Sequence, residues 1–220
     1  MFKRLTLLGL LLTLSVNTLS ADQIRLYKQY IIGTPKAYLE KIHVLEDCAE
    51  RYEQGTLCMQ NHTLSGEPSE IAFRFLTDRL VSVVLMMPLG DVSKIKKMFH
   101  VMKTQFDLVL IEDGKERLDI IELSGNTFAK NDFTQLIADF ENEAYKNHSI
   151  KYTFISKDEF KSQSRKARNF AEIFKGAPIH MRAATYSVGR KDNQVIGTIT
   201  FIVPGITQEY LDQNPIVEDF

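Results

Sequence analysis

The segment of residues 68–88, which begins and ends with proline, constrains the fold more than any other part of this chain. In its first part Ile71, Phe73 and Phe75 alternate with smaller or charged residues, which predicts a β-strand with one buried face. Residues 80–87 are almost continuously apolar and predict a strand in the middle of a sheet. A short polar turn joins the two strands. We therefore predict a β-hairpin at the centre of the hydrophobic core.

The N-terminus has the pattern of a cleavable secretory signal. Lys3 and Arg4 precede an apolar run over residues 5–14, and small residues follow just before position 22. The apolar run is shorter than the roughly 20 residues that span a bilayer, and the order of charged, apolar and small residues is typical of a signal peptide. We therefore expect residues 1–21 to be removed and the remainder to be exported, as a soluble protein of the periplasm or as a secreted protein.

The charge balance of the chain is close to neutral. It has 27 Lys and Arg residues against 28 Asp and Glu residues, for a formal net charge of −1. Removal of the signal would take away Lys3 and Arg4 and no acidic residue. Such a balance gives no general attraction to nucleic acid or to anionic lipid. We therefore expect no nucleic-acid partner, and no insertion into a membrane once the signal is cleaved.

Periodicity along the chain predicts an α+β fold, with antiparallel β-sheet and helices packed on one face of it. Helices are predicted from Pro35 to a stop at Gly55, from Val92 through Met102, from a cap at Asn131 or Asp132 through Ala144, from Lys157 to Lys175, and from Thr207. Strands are predicted over residues 24–32, 71–75, 80–87, 106–111, 118–123, 150–155, 179–188 and 194–203. We divide the exported chain into a first half, residues 22–125, and a second half, residues 126–220, which we expect to share one core.

The two halves contain segments with the same order of features. Residues 66–68 (Gly-Glu-Pro) precede the first hairpin, which Pro88 and a predicted helix follow. Residues 176–178 (Gly-Ala-Pro) precede a second predicted hairpin, which Pro204 and another predicted helix follow. This order gives the hypothesis of an internal duplication of a helix, hairpin, helix unit. Chance recurrence of the Gly-x-Pro pattern is the alternative.

The two cysteines, Cys48 and Cys58, predict a disulfide. They are an even number, ten residues apart, in a chain that we expect to enter an oxidising compartment. The alternative is a metal site in which both cysteines join His43 and His62, since Cys58 and His62 have the spacing of metal ligands. That site is disfavoured because His43 and Cys48 are five residues apart, and we expect neither a metal nor a cofactor.

One motif invites an enzymatic interpretation. Ser93 and Lys96 fit the Ser-x-x-Lys pattern of penicillin-interacting serine enzymes, and the Ser-Gly-Asn of residues 124–126 follows in the expected order. The third element, Lys-Thr-Gly, is missing. The other interpretation is that Ser93 caps a helix and that residues 124–126 form a turn. We therefore expect no catalytic residue.

A cluster of cations is the second candidate site. Lys161, Arg165, Lys166 and Arg168 fall on the outer side of the helix predicted from Lys157, and Arg182 follows beyond it. Such a cluster could bind an anionic partner, whether a lipid head group, a carboxylate-rich glycan or an acidic protein. The alternative is an ordinary solvated helix face.

The chain resembles a group of small exported proteins of Gram-negative bacteria that have no assigned activity. The resemblance comes from Cys48 and Cys58 followed by residues 63–68 (TLSGEP), 71–75 (IAFRF) and 78–83 (DRLVSV). It implies export and a disulfide rather than a reaction. The paired units also resemble the repeats of β-lactamase-inhibitor proteins and of the small lipoprotein of the outer-membrane barrel-assembly machinery, which are binding modules. This chain lacks the lipidated cysteine of the latter, so no membrane tether is implied.

These observations favour an exported, non-enzymatic binding protein of the bacterial cell envelope. Its partner would be another envelope protein or an imported toxin, and it could be an immunity or inhibitor-type protein. The alternatives are a small-ligand or lipid carrier, which an apolar cavity under the sheet would indicate, and a cell-wall-related hydrolase that uses Ser93 and Lys96, which a pocket gathering those two side chains would indicate.

Overall fold

The computed structural model describes residues 23–64, 66–90, 92–125, 130–146, 149–191 and 194–213, and the predicted signal peptide lies outside them. Strands span Arg25–Tyr27 (β1), Tyr30–Ile31 (β2), Glu46–Asp47 (β3), Leu57–Leu64 (β4), Glu67–Leu76 (β5), Arg79–Leu89 (β6), Phe106–Glu112 (β7), Arg117–Asp119 (β8), Ser149–Ser156 (β9), Ala183–Lys191 (β10) and Gln194–Ile202 (β11). Helices span Lys36–Ile42 (α1), Val92–Gln105 (α2), Ile120–Gly125 (α3), Lys130–Lys146 (α4), Lys157–Gln163 (α5), Phe170–Lys175 (α6) and Gln208–Gln213 (α7).

Nine of these strands form one antiparallel sheet in the order β3-β4-β5-β6-β11-β10-β9-β7-β8, and β1 pairs with β2 beside it. The predicted central hairpin is β5 and β6, so that prediction is confirmed. A single row of paired residues crosses six strands of the sheet, and all of its members are buried in one core cluster. The row consists of Ile71, Leu85, Ile199, Tyr186, Tyr152 and Ile111.

The α+β class with an antiparallel sheet is confirmed, but helices cover parts of both faces rather than one. Helices α1, α2 and α4 pack on the face of the buried row, with Leu39, Met98 and Ala144 in the main core cluster. Helices α3 and α6 pack on the opposite face, where Ile121 and Ile173 join a second cluster. Strands β7 and β9 carry apolar side chains on both faces, and each face therefore needs its own cover.

The predicted helix from Pro35 to Gly55 is wrong beyond its second turn. Helix α1 ends at Ile42, and the next residues turn back so that Glu46 pairs with Cys58 of β4. Cys48 and Cys58 form the predicted disulfide, and both are buried. A continuous helix could not lay this segment beside β4, so the tertiary contacts override the helical periodicity of the sequence.

The predicted helix from Lys157 to Lys175 is interrupted between α5 and α6. Asn169 caps α6, because its side-chain oxygen accepts a hydrogen bond from the backbone N–H of Glu172 at 2.9 Å. The Oδ2 atom of Asp119 accepts a second one from the N–H of Phe170 at 2.8 Å. Asp119 is also the last residue of β8, and helix α3 begins at the next residue. The predicted strand over residues 118–123 is therefore a strand only as far as Asp119.

The arrangement of the two central hairpins fits the duplication hypothesis. When the sequence is aligned on itself with Pro88 opposite Pro204, Val84 falls opposite Thr200. These two residues are cross-strand partners in the sheet. A twofold axis through this pair would exchange β6 with β11 and β5 with β10. The connections differ, since β4 leads directly into β5 whereas α5 and α6 separate β9 from β10. The duplication therefore stays a hypothesis.

A group of tyrosines lies between α4 and the sheet. Tyr152 is 2 % exposed, and its hydroxyl donates to Glu141 at 2.8 Å and lies 3.2 Å from the hydroxyl of Tyr145. The ring of Tyr186 stacks on that of Tyr152 with 6.0 Å between centroids. Among the described residues, the buried hydroxyl of Tyr186 has no hydrogen-bond partner. Burial raises the pKa of both hydroxyls above the usual tyrosine value, so both stay neutral.

Within the described part of the chain, the hydroxyl of Tyr152 is hydrogen-bonded and that of Tyr186 is not, so replacing each tyrosine with phenylalanine should affect stability differently. Tyr186→Phe should leave the free energy of unfolding unchanged or raise it by about 1 kcal/mol, because it removes an unsatisfied buried hydroxyl. Tyr152→Phe should lower it by about 1–2 kcal/mol, because it breaks a hydrogen bond to a carboxylate. Urea denaturation of both variants measures the two effects. An equal loss in both would contradict the assignment of Tyr186 as unsatisfied.

Candidate functional site: an apolar pocket lined by cations

A pocket of about 510 Å³ lies on the main core face of the sheet. Leu85 of β6 and Ile199 of β11, which pair with each other across the sheet, form part of its floor together with Phe201. Val101 and Met102 of α2 line it from the helix side. The volume falls in the range of about 300–1,000 Å³ that is usual for small-molecule sites.

Strand β1 also contributes to the wall of the pocket. Leu26 and Tyr27 both line the pocket, and the ring of Tyr27 stacks on that of Phe201 with centroids 5.2 Å apart. The hydroxyl oxygen of Tyr27 is buried and has no hydrogen-bond partner among the described residues. A buried hydroxyl in such a position costs free energy unless an acceptor reaches it. The pocket therefore has apolar side chains in its lining, and one of its lining residues carries a buried hydroxyl without a partner in the described part of the chain.

Three cations also line this pocket: Arg25, Lys28 and Arg182. The guanidinium carbon of Arg182 lies 5.8 Å from the centroid of the Phe106 ring, and the ammonium of Lys28 lies 5.2 Å from the centroid of the Tyr27 ring. None of the described lining residues is acidic. The lining therefore combines apolar surface with positive charge, the chemistry that suits an anion with an apolar body.

Lys28 is also part of a hydrogen-bonded chain with His62 and Ser69. The Nζ atom of Lys28 lies 3.0 Å from Nε2 of His62, and Nδ1 of the same ring lies 2.7 Å from Oγ of Ser69. Burial lowers the pKa of His62 below its usual value, and the nearby charge of Lys28 lowers it further. The ring is therefore neutral at pH 7.

The direction of the hydrogen bonds among Lys28, His62 and Ser69 does not suit nucleophilic catalysis. An ammonium can only donate, so Nε2 of His62 accepts and the single ring proton is on Nδ1. The nitrogen that faces Ser69 is then already protonated and cannot remove the proton of the serine hydroxyl. These two contacts connect Lys28, a lining residue of the pocket, to His62 and Ser69 of the neighbouring strands.

The cation cluster predicted from the sequence is divided by the structure. Lys161 lies on α5, and Arg165, Lys166 and Arg168 lie in the turn that follows; all four are exposed. These elements adjoin the second core cluster, on the opposite face of the sheet from the pocket. Arg182 lines the pocket instead. The five residues therefore do not form one patch, although the four on α5 and its turn remain together.

The residues of the predicted serine motif do not meet at the pocket. Ser93 and Lys96 lie in the first turns of α2, both exposed, and neither lines the pocket. Ser124 lies in the last turn of α3, where its hydroxyl donates to the backbone oxygen of Ile121, and Asn126 lies outside the described residues. The hydrolase alternative therefore gains no support from this pocket.

The residues considered for a metal site are engaged in other bonds. Cys48 and Cys58 are bonded to each other, so neither is available as a thiolate ligand. His62 is engaged with Lys28 and Ser69. In the described part of the chain, no group of three or more potential ligands could hold a metal ion.

Sequence reasoning missed most of this pocket. Arg25, Tyr27 and Lys28 fall in a segment predicted only as a first strand, and Phe106 was expected only to begin a later one. A signal was present, since residues 25–28 (Arg-Leu-Tyr-Lys) combine cations with large apolar side chains, a pattern that suits a strand beside an apolar cavity.

None of the described helices is long and apolar enough to cross a membrane.

Searches of protein-family models, of curated proteins and of solved structures returned no match to this chain. The resemblance to small exported proteins of Gram-negative bacteria therefore stays a prediction.

Proposed function

We propose that this chain is an exported, non-enzymatic binding protein that carries an amphipathic anion in its apolar pocket. The ligand has an apolar chain and one anionic head group, as in a fatty acid or a lysophospholipid. The observation that carries this proposal is the combination, in one pocket, of an apolar floor, three cations and the unpartnered hydroxyl of Tyr27. The disulfide supports export to an oxidising compartment such as the periplasm.

Each part of such a ligand has a counterpart among the lining residues. Burial of the apolar chain against Leu85, Ile199 and Phe201 contributes about 25 cal/mol per Å² of apolar area removed from water. The head group accepts charge-assisted hydrogen bonds from Arg25 or Arg182, which are stronger than bonds between neutral groups. A neutral apolar molecule would leave the cations unused, and a small inorganic anion would leave the floor exposed.

Closing the mouth of the pocket tests this proposal without disturbing its floor. Val101 lines the pocket but is 36 % exposed on α2, so Val101→Trp should place an indole over the cavity at little cost to folding. We expect this variant to bind dodecanoate at least about tenfold more weakly. The measurement is displacement of the fluorescent anion anilinonaphthalene sulfonate by dodecanoate, with dodecanol as the uncharged and dodecyltrimethylammonium as the cationic competitor.

The matched control is Leu136→Trp, because Leu136 is also 36 % exposed on a helix but does not line the pocket. It should leave displacement unchanged. Lysophosphatidylglycerol in the same assay distinguishes a phosphate head group from a carboxylate. Displacement by dodecanol as effective as that by dodecanoate, or equal losses in Val101→Trp and Leu136→Trp, would contradict an anion site in this pocket.

A further inference from the structure

Helix α2 has a one-sided distribution of charge. Its 14 residues include four lysines and one histidine and no acidic residue, in a chain with a formal net charge of −1. Its apolar residues Ile95, Met98 and Met102 are buried in the core. Lys94 forms an ion pair with Glu67 at 2.7 Å. Lys96 and Lys97 are exposed on the same helix. The outward surface of α2 is therefore cationic.

This cationic surface adjoins the mouth of the pocket. Val101 and Gln105 of α2 both line the pocket, and Lys97 precedes Val101 by four residues, which places the two on the same side of the helix. Across the cavity the pocket is lined by Arg25 and Arg182. An apolar opening, with Val101 exposed in it, thus lies between cations from α2 and cations from the sheet side.

We propose that this face, defined by α2 and the pocket mouth, docks on an anionic lipid bilayer, from which the pocket takes up its amphipathic anion. Lysines near an anionic leaflet each strengthen adsorption by about fivefold, and the attraction is reversible and salt-dependent. The choice of a bilayer rather than an acidic protein rests on the proposed function, because the pocket opens on this face. The cationic character of α2 does not depend on it.

Vesicle sedimentation tests this surface. The probe is the protein purified after export, mixed with vesicles of phosphatidylcholine alone or with added phosphatidylglycerol. We expect binding to the anionic vesicles only, and a fall of at least about twenty-five-fold in the partition coefficient of the double variant Lys96→Glu, Lys97→Glu, because two attractive charges are lost. The matched control is Lys161→Glu, Lys166→Glu, which reverses two exposed lysines of the opposite face and should bind as the unmodified protein does.

The outcomes separate docking from ligand binding. If the α2 variant loses vesicle binding and keeps dodecanoate binding, the docking surface is supported. If the unmodified protein binds dodecanoate but no anionic vesicle, the docking surface is wrong and the proposed function stands. Equal losses in the α2 variant and its control would also overturn it. So would binding to beads coated with polyglutamate that is as tight as binding to the vesicles, since the partner would then be an acidic polypeptide.

Discussion

Arg182→Glu is expected to weaken dodecanoate binding by about a hundredfold. The guanidinium of Arg182 lines the pocket beside Phe106. A hydrogen bond to a charged group is worth about 1.5–3 kcal/mol, and each 1.4 kcal/mol is a factor of ten in affinity. The variant loses this bond and adds a carboxylate that repels the head group. Isothermal titration with dodecanoate at low ionic strength measures the change.

The control for this substitution lies on the strand that follows Arg182. Arg190 is exposed near the far end of β10 and does not line the pocket, so Arg190→Glu changes the net charge equally but should change the affinity little. Arg182→Gln keeps a donor without charge and should give an intermediate affinity. A loss in Arg190→Glu as large as that in Arg182→Glu would show that the net charge of the protein, rather than this pocket, determines binding.

Replacing both Cys48 and Cys58 with alanine is expected to lower the free energy of unfolding by about 3 kcal/mol. The disulfide closes a ring with a sequence separation of 10, and in the loop-entropy model a ring of this size stabilises by about that amount. Both cysteines are buried against Ala72 and Val84 on the face of the sheet opposite the pocket. Urea denaturation followed by far-ultraviolet circular dichroism measures the change.

The disulfide prediction also has a local control. Because the ring and the pocket lie on opposite faces, the alanine variant should bind dodecanoate normally at temperatures well below its unfolding transition. Dithiothreitol should lower the stability of the unmodified protein and not that of the variant. A loss under about 1 kcal/mol would mean that the pairing of β3 with β4, and the ion pair between Arg51 and Glu70 at 2.9 Å, hold the segment without the bond.

The sequence predicts the centre of this fold well because local patterns and tertiary contacts agree there. Ile71 and Phe73 alternate with the residues of the other face, and the apolar run 80–87 forms a central strand with buried residues on both faces. The disulfide was predictable from two cysteines and an expected oxidising compartment. The second hairpin, β10 and β11, was found for the same reason as the first.

The sequence could not predict features that depend on distant contacts. Residues 43–55 have helical periodicity, yet the segment is attached to β4 through Cys58 and contains a short edge strand. The pocket is even harder to predict from the sequence, because Arg25, Val101 and Arg182 come from three parts of the chain that the fold alone brings together. Its cations were visible individually, but no pattern in the chain relates them.

The most direct measurement is a crystal structure of residues 22–220, the chain without its predicted signal peptide, grown with dodecanoate. We predict that the alkyl chain lies on Leu85, Ile199 and Phe201, with the carboxylate within hydrogen-bond distance of Arg25 or Arg182 and of the Tyr27 hydroxyl. Dodecanoate bound elsewhere at saturation, with this pocket collapsed or filled by side chains, would contradict the proposed function.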